Sequence, residues 1–105
     1  MKSLEAVTAL AALAQDSRLA IFRALVQSAP EPINPGHLSE TLDIPKATLS
    51  FHLKELSNAG LISAENEGRH KLYRARLETM NTLIDYLLEN CCQGTQCPQP
   101  EKPAC

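Results

Sequence analysis

The stretch IPKATLSFHLKELSNAG, residues 44–60, decides the fold. Leu49, Leu53 and Leu56 recur at helical spacing and fall on one side of a helix. Ala47, Ser50, Phe51, Lys54 and Asn58 gather on the opposite side. A solvated helix face normally carries long charged side chains. This one is short-chained, hydroxyl-bearing and cationic around a single apolar ring, a shape suited to close approach to another surface. Pro45 or Lys46 opens the helix, because proline fits the first turn, and Gly60 closes it.

Upstream, residues 34–42 read as a second short helix, with Asn34 as N-cap and Pro35 at the first helical position. Asp43-Ile44-Pro45 is the tight turn between the two. Two short helices so joined make a helix-turn-helix in which the second helix reads DNA. On its own the pattern also fits two core helices with an ordinary polar face. Downstream, residues 61–65 and 71–75 are strand-compatible runs around Asn66-Glu67-Gly68-Arg69-His70, a hairpin signal with glycine at the turn. A reader helix followed at once by a basic-tipped hairpin is a winged helix. The expected architecture is mainly α with a small β-hairpin.

At 105 residues the chain makes one domain, and with no Trp, two Phe and two Tyr its core is aliphatic. The formal net charge of −2 hides a partition. Residues 1–43 carry three Lys/Arg against five Asp/Glu, residues 44–76 six against three, and residues 77–105 one against four. The cationic segment coincides with reader helix and wing, the electrostatic footprint of a DNA face. Lys46, Thr48 and Lys54 are the expected phosphate contacts, Ala47, Ser50 and Phe51 the expected base contacts, and Arg69 and Lys71 the wing contacts. His70 on the wing is a further phosphate candidate, His37 reads as solvated, and His52 reads as packed and hydrogen-bonded at the flank of the buried face.

No apolar run reaches the roughly 18 residues of a membrane span. Glu5 interrupts the N-terminus where a signal peptide begins its apolar stretch, so the expected location is cytoplasmic, with no membrane partner. Leu4, Val7, Ala11 and Ala14 mark a first helix. Asp16 is the expected N-cap of a second, which runs to about Ser28 and buries Leu19, Phe22, Leu25 and Val26. A last helix holds Leu77, Met80, Leu83, Ile84, Leu87 and Leu88, reaches at least Asn90, and brings Cys91 onto its seam. The two end helices carry more apolar surface than one small domain covers, which points to a homodimer. Residues 1–92 form the DNA-binding and dimerisation domain, and residues 93–105 a flexible tail containing Cys and Pro.

All four cysteines, Cys91, Cys92, Cys97 and Cys105, fall in the last fifteen residues, so they are no disulfide framework for the core. Gly94 lets the chain fold back so that Cys97 approaches the adjacent pair. Converging thiolates select thiophilic ions over Mg²⁺ or Ca²⁺. Thiol redox sensing and a core role for Cys91 stand beside metal binding as alternatives. No Cys-x₅-Arg loop, P-loop or Ser/His/Asp set is present, so the chain does not read as an enzyme. A winged helix used only for protein contacts is the remaining rival.

Over roughly residues 5–90 the chain resembles the ArsR/SmtB family of metal- and metalloid-responsive repressors. The resemblance rests on Leu13 to Phe22 (LAQDSRLAIF), on Thr48 to Leu56 (TLSFHLKEL) with Ala59-Gly60-Leu61-Ile62, and on Glu67-Gly68-Arg69 at the wing tip. It implies a dimer of winged helices on double-stranded operator DNA, released when an inducer binds. The metal box of many members, Glu-Leu-Cys-Val-Cys-Asp-Leu, aligns with Pro32 to Leu38, where its cysteine positions hold Asn34 and Gly36, so the box is missing. The zinc site that other members carry on the last helix needs His, and this helix has Asp85 and Glu89 without one. Some members place arsenite cysteines after the last helix, as this sequence does. The resemblance therefore implies As(III), or Sb(III), on the three thiolates of Cys91, Cys92 and Cys97. Tetrahedral Cd(II) or Zn(II) would need a fourth ligand such as Cys105.

Overall fold

The computed structural model describes residues 1–91. Five helices and one hairpin follow in the order α1 (Ser3–Leu13), α2 (Asp16–Ser28), α3 (Pro35–Leu42), α4 (Lys46–Asn58), β1 (Ile62–Glu67), β2 (His70–Ala75) and α5 (Leu77–Leu88). This is a winged helix-turn-helix. No helix among the described residues is long and apolar enough to cross a membrane.

Local chemistry sets the helix-turn-helix. The Asn34 side chain accepts from the His37 backbone N–H at 2.7 Å, satisfying an orphan donor of the first turn of α3. A Cβ at Gly36 would stand 3.3 Å from that same Asn34 Oδ1, so glycine leaves room for the cap. Asp43 ends α3 in the left-handed region at φ 54°, which a short polar side chain tolerates. Ser39 then spans the turn, its hydroxyl donating to the Ile44 carbonyl at 2.6 Å and its carbonyl accepting from the Ile44 N–H at 3.1 Å. Gly60, at φ 77°, closes the following helix as expected.

The core is aliphatic. Ile21 and Leu25 of α2, Leu38 of α3, Leu49, Leu53 and Leu56 of α4, Leu61, and Leu83 of α5 are all buried. From α1 it is Ala6, Ala9 and Ala12 that face inward, while Leu4 is 76% exposed and Val7 57%. The expected seam of α1 thus turns outward. Alanine is the side that fits because α1 packs against α2, α4 and α5 together, and only short side chains admit that close approach.

Other boundaries differ from expectation for identifiable reasons. Asp16 is the first residue of α2 and not its cap. Gln15 takes that place, its side-chain oxygen accepting from the Arg18 N–H at 2.9 Å. Leu19 is exposed and Val26 half-buried, whereas Ile21 is buried, because Ile21, Phe22 and Leu25 make the inward stripe. The hairpin is longer than expected. Its register runs from Ile62↔Ala75 to Glu67↔His70, leaving only Gly68-Arg69 as the loop. Gly68 alone takes a positive φ, 63°, as a two-residue type II′ turn requires at its first position. At the base of the wing, Ile33 and Tyr73 exchange backbone hydrogen bonds of 3.0 and 2.9 Å, clasping the hairpin to the segment before α3.

The end of α5 also differs. The helix stops at Leu88, Glu89 is extended, and Asn90 turns left-handed at φ 57°. Asparagine tolerates that conformation, so the chain leaves the helix axis there and Cys91 does not continue the α5 seam. Cys91 is half-buried. Cys92, Cys97, Cys105 and the expected tail, residues 93–105, lie outside the described residues.

Candidate DNA-contact face

Helix α4 is sided as its sequence reads. Leu49, His52, Leu53 and Leu56 are buried against the core, and Lys46, Ala47, Thr48, Ser50, Phe51 and Lys54 are exposed. Phe51, at 55% exposure, is a large apolar ring left in solvent mid-helix. It is held edge-on against His52, the ring centroids 5.6 Å apart at 60°. An exposed ring pinned by its neighbour is a preformed apolar contact.

A groove runs beside the N-terminal end of α4. It is lined by Asn34, Pro35 and Gly36 from the start of α3, by Lys46, Leu49 and Ser50 from α4, and by Arg69, His70 and Lys71 from the wing. A neighbouring hollow holds Ser50, Lys54, Ser57 and Lys71. The structure therefore brings Lys46, Ser50, Lys54, Arg69 and Lys71 to one continuous surface. Ala47, Thr48 and Phe51 line neither hollow and stand exposed elsewhere on α4. Sequence reasoning missed the start of α3 as part of this wall. Gly36, small and one residue inside a helix start, was the available signal, since a residue without a side chain leaves the groove open there.

The charge of the face is more concentrated than composition suggests. Arg74 pairs with Glu65 at 2.9 Å and also donates to the Pro30 carbonyl. Arg76 pairs with Glu78 at 3.1 Å, and both couples lie at the base of the wing. Lys46, Lys54, Arg69 and Lys71 make no ion pair among the described residues and remain available to an anionic partner. Four uncompensated cations around a short-chained helix face are what a phosphate backbone neutralises.

This division of labour is testable. Lys54→Ala is expected to weaken binding to all DNA sequences alike and to lower the salt slope by about one. Phe51→Ala is expected to cost roughly 1–3 kcal/mol at particular base pairs and little on random DNA. Fluorescence anisotropy on operator and scrambled duplexes at several salt concentrations separates them. Equal losses on both duplexes for Phe51→Ala would rule out base reading there.

His52 is packed and hydrogen-bonded as expected, at 7% exposure with Nδ1 3.4 Å from Arg18 Nη1. His37 is exposed, with Nε2 3.4 Å from the Thr41 hydroxyl. Among the described residues no three His, Cys, Asp or Glu side chains come together as a metal cluster.

Residues 13–63 match the helix-turn-helix domain family designated HTH_20. Over 78 residues the chain is 38% identical to the uncharacterized HTH-type transcriptional regulator YceK of Bacillus subtilis, covering 74% of this chain and 77% of that one. It is 35% identical over 81 residues to the arsenical resistance operon repressor of the same organism (77% and 73% covered). It is also 30% identical over 94 residues to the transcriptional activator HlyU of Vibrio cholerae (90% and 84%). Among solved structures, an ArsR-like transcriptional regulator from Rhodococcus sp. RHA1 superposes with a TM-score of 0.74 at 24% identity, covering 87% of this chain and 82% of that one. The homodimeric winged helix-turn-helix domain of Mb0332 from Mycobacterium bovis superposes with a TM-score of 0.67 at 19% identity (90% and 88%).

Proposed function

Because the chain belongs to the ArsR/SmtB type of helix-turn-helix transcriptional regulators, we propose that it is a homodimeric repressor released from its operator by As(III). The observation that carries the DNA half of this reading is the set Lys46, Lys54, Arg69 and Lys71, without an ion pair among the described residues and gathered with Ser50 on one surface. Helix α4 also exposes Phe51. A dimer would set two such faces about 34 Å apart, in successive major grooves of one side of the duplex. Phe51 suits a thymine methyl, Ala47 lets the helix approach the base edges, and Ser50 offers a hydroxyl to them. Lys46, Thr48 and Lys54 would hold phosphates, and Arg69 and Lys71 the adjacent backbone or minor groove.

The dimer half rests on α1 and α5, which pack against each other and leave Leu4, Val7, Leu10, Ile84, Leu87 and Leu88 exposed. So large an apolar surface on two adjacent helices marks an interface. A homodimeric neighbour of the same fold supports it.

The inducer half rests on Cys91, Cys92 and Cys97. Three thiolates match a soft, three-coordinate ion, so As(III) and Sb(III) fit the donor set and Cd(II) or Zn(II) would require Cys105 as well. Cys91 directly follows the turn that ends α5, which supports a link between ligand binding and the dimer helix. A hundredfold loss of operator affinity asks for only about 2.7 kcal/mol of coupling between the two sites. The relative that represses an arsenical resistance operon supports the ligand class.

The test is serine substitution. Cys91→Ser, Cys92→Ser and Cys97→Ser are each expected to abolish release by arsenite while leaving apo-protein operator binding intact, since none lies on the reader helix or wing. A hydroxyl is a hard, weakly acidic ligand and does not replace a soft thiolate. Cys105→Ser is expected to change little. Release of Cys97→Ser by low arsenite would replace the three-thiolate site with one using two thiolates or Cys105. Release by peroxide, reversed by reductant and indifferent to arsenite, would make the protein a thiol-redox regulator instead.

A further inference from the structure

We infer that Arg18 and His52 form a positioning pair that ties the reader helix to the end of α1, and that protonation of His52 opens it and weakens DNA binding. Arg18 sits near the start of α2 and its guanidinium faces two other elements. Its Nε–H donates to the Ala12 carbonyl, at the end of α1, at 2.6 Å. Its Nη1 stands 3.4 Å from His52 Nδ1 on α4. Its own backbone N–H is fixed by Gln15 at 2.9 Å. One side chain thus joins the helix that carries the exposed apolar row to the helix that carries the DNA face.

The partner's protonation state follows from the donor's chemistry. Arginine has donors only and stays charged. His52 Nδ1 must therefore accept, which puts the ring proton on Nε2 and leaves the imidazole neutral. A second proton would land on Nδ1, removing the lone pair that Arg18 uses and setting two cations face to face. Burial is the main cause that holds His52 below the usual histidine range, and the Arg18 charge adds to it. Glu55, one turn further along α4, pulls weakly the other way. The charged groups that act on the ring are Arg18 from α2 and Glu55 from α4, and what α1 brings to the cluster is the uncharged Ala12 carbonyl, bound to Arg18.

The sign is fixed by linkage. Because burial and Arg18 hold the native ring below the usual histidine range, the pair is intact at pH 6.5 and above and is lost only as the pH falls through that lowered native value. Phe51 stacks edge-on against this same ring, so a displaced His52 also releases the ring assigned to base reading. The pair accordingly sets the angle of the reader face relative to the dimer helix.

This inference rests on the operator-binding reading. The experiment measures operator affinity by anisotropy from pH 7.5 to 5.5 for the wild type, for His52→Asn and for Arg18→Met. Asparagine keeps an acceptor near the Nδ1 position and does not titrate. Wild-type affinity is expected to fall severalfold across the range, nearly all of it at the acid end, and His52→Asn to lack this loss. Arg18→Met is expected to bind about tenfold more weakly at pH 7.5 and to lose the pH dependence. His37 and His70 are common to all three proteins, so only a difference in slope between the proteins is assigned to the pair. An equal acid slope in His52→Asn overturns the proposal. Should a variant fail to fold, ¹⁵N NMR of the wild-type ring decides the matter without DNA. The Nε2–H tautomer at pH 7.5, with amide shifts along 49–56 that follow its titration, is the expected result. The Nδ1–H tautomer, or titration without those shifts, overturns it. Absence of operator binding at every pH would defeat the repressor reading while leaving the ring titration to judge the pair.

Discussion

Replacing Leu87 with Glu is expected to leave a folded protomer that sediments as a monomer and no longer holds an operator. Leu87 is 55% exposed in the protomer, so a carboxylate there costs the domain itself little. In the proposed dimer the same position lies on the α5 side of the apolar surface shared with α1. Two copies bring two carboxylates into one dry interface, at several kcal/mol of desolvation for each ion. Losing the dimer removes the fixed spacing of the two reader helices and halves the number of phosphate contacts. Operator affinity is then expected to fall by a hundredfold or more, toward the nonspecific level. Sedimentation velocity and a gel shift read the two effects separately. A variant that remains dimeric at micromolar concentration and binds normally would move the interface off α5.

The largest effect on stability is expected at Leu56. Its side chain is fully buried on the inner side of α4, among the leucines and isoleucines that bind the helix-turn-helix to α2 and the wing. Leu56→Ala deletes buried carbon and leaves a cavity, at about 3–5 kcal/mol. That is a large share of the roughly 5–15 kcal/mol that holds a small domain together. The melting temperature is expected to drop by about 12–30 °C. Leu4→Ala makes the control. Leu4 is 76% exposed, so it is expected to change protomer stability by under about 0.5 kcal/mol while weakening the dimer. Urea unfolding at fixed protein concentration distinguishes the two, and a loss under about 1 kcal/mol at Leu56 would contradict this packing.

Those two leucines show where a sequence speaks and where it is silent. From Asn34 to Gly60 the elements were legible almost to the residue, because caps and breakers mark them: Asn34-Pro35, Asp43 with Pro45, and Gly60. The exposed DNA-contact candidates were legible for a related reason, their small and cationic side chains being ill suited to a core. The outer helices were not. Leu4 and Leu56 are the same residue on helical seams, and hydrophobicity alone does not say whether a seam meets its own domain or another surface. The inward alanines of α1 carry almost no signal, since alanine is at home on either side of a helix. The wing's outer rungs, Asn66↔Lys71 and Glu67↔His70, use poor strand formers, and a two-residue turn enforces their register. The Arg18–His52 contact joins positions 34 apart in the chain, and no spacing rule reaches that far.

Ala6, Ala9 and Ala12 give α1 a nearly smooth underside, a gear with its teeth filed down. Leucines interlocked in holes would have to climb out of them before the helix moved. Methyl groups present no such barrier, so the side-chain interlocking that fixes α4 through the buried Leu49, Leu53 and Leu56 has no counterpart beneath α1. With most of its large side chains turned outward, α1 grips what lies outside more firmly than what lies beneath. What anchors the end of α1 by a directed contact is the hydrogen bond from Arg18 to the Ala12 carbonyl.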